Sequence, residues 1–178
     1  MESVRVFKWS NIKNRFIAIG YSKKLRFLHR WLNLDRMSAD TKQARIAAIV
    51  EKLQGRQLDA HYLGYFECFN QQLYYEAHEV LEQIWLPQRA GSDGAFYKGL
   101  IQLAGAFVHL QKARPEPAKA LLRLAEENLR KYPPMHQHLD LTALISEIRV
   151  WREKIESATG LAGLLLANGP PKILLVNT

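Results

Sequence analysis

The chain has 178 residues, 48% hydrophobic and 24% charged, with a single cysteine. That length suits one ordinary domain, or one domain with an extension, able to bury a core without staples. Lone Cys68 excludes an intramolecular disulfide and fits a reducing compartment, and its place between Phe66 and Phe69 marks a buried, inert thiol.

The net charge of +8 is unevenly spread. Residues 1–36 hold nine Lys/Arg and two acids, whereas residues 37–178 hold sixteen and fifteen. The basic character therefore belongs to the N-terminal fifth, and no nucleic-acid contact is expected for the core domain. LAGLLLA at 161–167 and ILLV at 173–176 are separated by NGPPK, well short of the about 20 apolar residues of a transmembrane span. The N-terminus has no apolar run long enough for a secretory signal. A cytoplasmic location is expected.

Three segments follow: a basic N-terminal extension over 1–36, a helical bundle over 37–158 and a tail over 159–178. The extension mixes basic residues with Phe7, Trp9, Phe16, Tyr21, Phe27 and Trp31. It reads as a basic amphipathic helix touching a membrane surface or an acidic partner, as an organellar transit segment, or as an extension without separate function. The last reading is favoured, because Met37 opens MSADTKQ, itself a workable start.

From Ser38 the periodicity is helical throughout. Ser38 is an N-cap and Gly55 a stop, with Ile46, Ile49, Val50 and Leu53 between them at spacings of 3 and 4. A short helix runs from Asp59 to Asn70 with Leu63, Phe66 and Phe69 inward. A third covers about Gln72 to Trp85 and stops before Pro87. A fourth spans Ala95 to Ala113 after a loop holding Gly91 and Gly94. Pro115 and Pro117 suit the first turn of a fifth, closed by Pro133-Pro134. Asp140 caps a sixth, and Ile173–Val176 could be extended. The expected fold is all-α, a compact bundle of five to six helices.

The chemistry concentrates in YYEAHEVLEQIW, residues 74–85. At 100° per residue, Tyr75, His78, Glu79, Glu82 and Trp85 share one face about 120° wide, with Glu76 and Gln83 turned toward solvent. The fourth helix, FYKGLIQLAGAFVHL, is apolar nearly all round, as a central helix is. It still carries a polar line of Lys98, Gln102 and His109 beside Gly105 and Ala106. A buried polar group without a partner costs about 1–3 kcal/mol, so this line is expected to face His78, Glu79 and Glu82.

Three uses of that polar centre stay open. His78 and Glu82, spaced i, i+4, could hold one cation (Zn, Mn or Fe) with His109 as third ligand and Glu79 as general base. HEVLE is not HExxH, so the zinc-protease motif is absent. A closed structural network, in a binding or scaffold domain, is the second use. Acid–base catalysis without metal is the third. Tyr75, Trp85, Lys98 and Gln102 would surround a bound small molecule. Oligomerisation is left open.

FNQQLYYEAHEVLEQIW followed by FYKGLIQLAGAFVHL resembles the family called domain of unknown function 309. Asn70, Tyr74, Tyr75, Glu76, Ala77, His78, Glu79, Leu81, Glu82 and Trp85 match its first block. Phe96, Gly99, Leu100, Ile101, Gln102, Ala104 and His109 match its second. The resemblance covers roughly Asp59 to Tyr132 and implies a compact helical bundle. Members of that family are labelled predicted metal-dependent hydrolases. Two positions depart from its pattern: Gln72 replaces a glycine, and residues 113–118 replace a G-N-x-x-G-A run.

Overall fold

A computed structural model of the protein describes residues 39–157 and 171–176, and six helices follow one another within them. The described residues belong to one unit, Ser38–Thr178. The basic segment 1–36, the Ser38 cap and the run 161–167 lie outside the described residues.

The first helix, α1 (Ala39–Leu53), buries Ile46, Val50 and Leu53 and gives way to Gly55 at φ 77°, the left-handed residue that stops a helix. Helix α2 (Ala60–Asn70) starts where the Asp59 carboxylate accepts the Tyr62 and His61 amides, the latter at 2.7 Å. Helix α3 (Tyr74–Gln88) runs past the expected stop and holds Pro87 in its final turn. A proline so near the end forfeits a single backbone bond, which the turn survives. Helix α4 (Gly94–Gln111) and helix α5 (Pro115–Leu129) follow, the latter with proline in its first turn. After α5, β1 (Met135–His136) pairs antiparallel with β2 (Leu139–Asp140). Helix α6 (Leu141–Ser157) is capped by Asp140, whose carboxylate accepts the Ala143 amide at 2.9 Å.

Helix α4 is the hub. Leu100 through Leu110 are all buried. Helix α2 lies parallel to it: the Tyr65 hydroxyl donates to the Leu100 carbonyl at 2.8 Å, and the Phe69 and Phe107 rings are 5.3 Å apart. Helix α3 is antiparallel, with Tyr74 at 5.0 Å from Phe107. Trp151 of α6 reaches the same Phe107 ring at 5.1 Å. Each such pair adds about 0.5–1.5 kcal/mol beyond burial. Helix α5 is also antiparallel, and the approach is close at Gly99. A Cβ there would stand 2.9 Å from Leu129 Cγ, so only glycine fits.

The β1–β2 hairpin carries no turn signal in the sequence. Its corner is Gln137-His138, both left-handed at φ 47° and 60°. Non-glycine residues resist that geometry, which tertiary bonds impose. The Tyr62 hydroxyl donates to the Gln137 carbonyl at 2.9 Å, and the Asp93 carboxylate accepts the Gln137 side-chain amide at 3.0 Å. No helix among the described residues is long and apolar enough to cross a membrane.

Candidate functional site

Between α2 and α3 the chain turns on Gln72, at φ 62°. The turn keeps the left-handed geometry that a glycine would adopt without strain, so the departure at this position alters the residue and not the backbone. Gln111 Nε2 donates to the Gln72 carbonyl at 3.1 Å and ties the corner to the end of α4. The turn sets the phase of α3, and with it the direction of every side chain from Tyr75 to Trp85.

One part of that face comes together as a chain of polar contacts. The Tyr75 hydroxyl donates to Glu79 Oε1 at 2.8 Å, and Lys42 of α1 sits 4.4 Å from the centre of the Tyr75 ring. Burial pushes the Glu79 carboxyl above the usual range. The Tyr75 bond and Lys42 oppose that, while Glu76 reinforces it. Glu82, one turn on, is half-buried, and burial with the nearby Glu79 charge raises its carboxyl from 4.5 to about 7. Among the described residues no hydrogen bond or ion pair engages the Glu82 carboxylate. Two carboxyls on adjacent turns therefore share a partly dry environment, each disfavoured as an anion. On the same helix face, Trp85 is 6% exposed and its indole N–H is buried without a hydrogen-bond partner.

The wheel misplaces Glu76. It is 6% exposed, and Arg45 of α1 donates to Glu76 Oε1 at 2.7 Å. Helix α1 covers the side of α3 that a lone helix would give to solvent. Cys68 is buried beside this pair, and burial first, then Glu76 and Glu67, raises its thiol to about 12. It is buried, as expected.

The polar line of α4 faces a different neighbour from the one expected. Gln102 is 3% exposed, and its Oε1 accepts from Asn128 Nδ2 of α5 at 2.8 Å. Lys131 Nζ then donates to Asn128 Oδ1 at 2.8 Å. Lys98 is held below its ordinary value by burial and by Lys131. Gly99, Gln102 and their neighbours thus look toward α5 and not toward the Glu79–Glu82 face. The reason is that α4 is packed on several sides, so its polar stripe had more than one neighbour to choose from. His109 sits in the last turn of α4; burial, then Arg114 and Lys112, holds its pKa below the ordinary value. Its Nδ1 is buried without a hydrogen-bond partner. His78 is 4% exposed on α3.

Among the described residues, no group of three or more His, Cys, Asp or Glu side chains is placed to hold a metal ion. The trio His78, Glu82 and His109 is accordingly not assembled as a ligand set. Other polar anchors carry no motif in the sequence. The buried Glu126 carboxylate accepts from Arg149 Nε at 2.8 Å and Arg152 Nη1 at 3.1 Å, which latches α5 to α6. Asn128 and Glu126 appear in the sequence only as ordinary polar residues of an amphipathic helix.

Residues 62–121 match the model of the family described as Domain of unknown function (DUF309). The matched stretch contains Asn70, the whole of α3 and α4, and the first turns of α5. No curated protein and no solved structure matches the chain.

Proposed function

We propose that this chain, which carries a helical domain of the family above, is a binding domain. Its Tyr75–Glu79–Glu82 face receives a cationic group, and its other buried polar pairs are structural. The observation that carries this is the Glu82 carboxylate, half-buried beside Glu79 with no cation against it among the described residues. Each carboxyl is disfavoured as an anion in that setting. An arriving ammonium, guanidinium or metal cation would relieve both at once. Tyr75 orients Glu79, and the Trp85 indole N–H on the same face is free to donate. Gln102 and Asn128 satisfy each other and need no ligand.

A metal-dependent hydrolase is the second reading, with His78, Glu82 and His109 around a divalent metal and Glu79 activating water. The observation in its favour is Glu82 at about 7, a group able to take up and release a proton near neutral pH. Binding is the stronger reading because it asks only for the Glu79–Glu82 pair, which shares one face of α3.

The two readings separate by experiment. Protein purified without chelator or affinity metal is analysed for bound elements, and its thermal midpoint is followed with Zn, Mn, Mg and a series of polyamines. Stabilisation by any of these cations that disappears in Glu82→Gln supports the binding reading. One equivalent of tightly bound metal, lost together in His78→Ala and His109→Ala, would favour the hydrolase. No stabilisation by any cation would count against both.

A further inference from the structure

Residues 171–176 are held against the bundle by main-chain bonds. The Asn70 side chain makes two of them with Ile173: Nδ2 donates to its carbonyl and Oδ1 accepts its amide, both at 2.8 Å. Three residues on, the Val176 amide donates to the His138 carbonyl at 2.8 Å. Between these points Ile173 is buried against Phe69, Leu103 and Trp151. Leu174 must then point outward, and it is 75% exposed.

An outward leucine held this firmly is a knob. Beside it lies an open groove of about 340 Å³, lined by Leu139, Ala143 and Leu144 together with Asp140, Glu147 and Lys172. The described residues include four exposed large hydrophobic side chains. Three of them, Leu174, Val176 and Met135, sit on this segment and on the hairpin that holds it. Exposed apolar side chains grouped at a groove mark an interaction surface.

We propose that this surface pairs with the same surface of a second copy of the chain. It is self-complementary in shape and in charge. It offers a protruding leucine at the edge of a groove with Leu139, Ala143 and Leu144 in its wall, and one cation next to two carboxylates. A two-fold axis would set each Leu174 into the other copy's groove and each Lys172 against the other's Asp140 or Glu147. The carboxylates have capacity for this. Asp140 uses Oδ1 for the Ala143 amide and Glu147 uses Oε1 for the Trp151 indole, which leaves each a second oxygen. Asn70 acts at one remove, because it fixes the segment that carries the knob.

The test is sedimentation equilibrium on the full chain over a wide concentration range. Wild type is expected to dimerise. Leu174→Asp is expected to raise the dimer dissociation constant about 100-fold, because a two-fold interface uses the knob twice. Its urea midpoint, read at a concentration low enough for both proteins to be monomers, should match wild type, since the side chain is exposed within one copy. Lys172→Glu should weaken the dimer, and the added change Glu147→Lys in the same chain should restore it. A wild type that stays monomeric at high micromolar concentration would overturn the proposal. So would a dimer indifferent to Leu174→Asp.

Discussion

Replacing Glu82 with glutamine isolates the central electrostatic feature of the candidate site. The carboxyl moves from 4.5 in the open chain to about 7 in the folded protein. Because the folded state holds the proton more tightly, this contribution to stability is complete below about pH 4.5 and is lost as pH rises through about 7. At 1.36 kcal/mol per pH unit the full difference is about 3 kcal/mol, and partial exposure of the side chain reduces it to about 2. Glutamine keeps the shape and cannot titrate. Glu82→Gln should therefore match wild type near pH 4.5 and exceed it by about 2 kcal/mol near pH 8. Urea unfolding at intervals between those two values measures the difference. The nearby Glu79 charge is one cause of the Glu82 shift, so the comparison reads Glu82 together with its coupling to Glu79. Parallel pH profiles for the two proteins would refute the account of a partly dry, unpaired carboxylate. The gain in stability would come with loss of cation-induced stabilisation, the usual trade at a site built for a ligand.

The packing around α4 gives three further expectations. Gln102→Leu leaves Asn128 buried and short of a partner, and should cost about 1–3 kcal/mol by urea unfolding. The double change Gln102→Leu with Asn128→Leu should recover most of that. Gly99→Ala forces a methyl against Leu129 at 2.9 Å and the Ala125 carbonyl at 3.3 Å, for an expected loss of about 1–3 kcal/mol and a lower thermal midpoint. Gln72→Gly relieves a left-handed side-chain-bearing residue whose carbonyl still receives Gln111. It should raise stability by about 0.5–1 kcal/mol, and an unchanged or lower midpoint would argue against strain at that turn.

Helix content and most helix limits were legible from local signals. Asp140 is a cap in the sequence and a cap in the fold, and Gly55 is a stop in both. The burial of Cys68 followed from its phenylalanine neighbours. The Tyr75–Glu79–Glu82 alignment needed only the helical period, and the Tyr75–Glu79 bond agrees with it. The hairpin was missed because Gln-His is not a pair that favours left-handed turns, and its geometry comes from Tyr62 and Asp93, 44 to 75 residues away in sequence.

Sequence by itself determined which residues share a helix face, because the 3.6-residue period is a local property of the backbone. Tertiary structure decided what each face meets. Helix α1 turned Glu76 from a solvent residue into the buried partner of Arg45. Helix α5 claimed Gln102 through Asn128, although α3 was as near in the chain. A helix surrounded by several neighbours gives each polar stripe more than one place to go. The choice falls to the packing that satisfies the most buried groups, which is a sum over the whole fold. Among the described residues the same sum leaves Glu82 without a cation, and that remainder marks the candidate site.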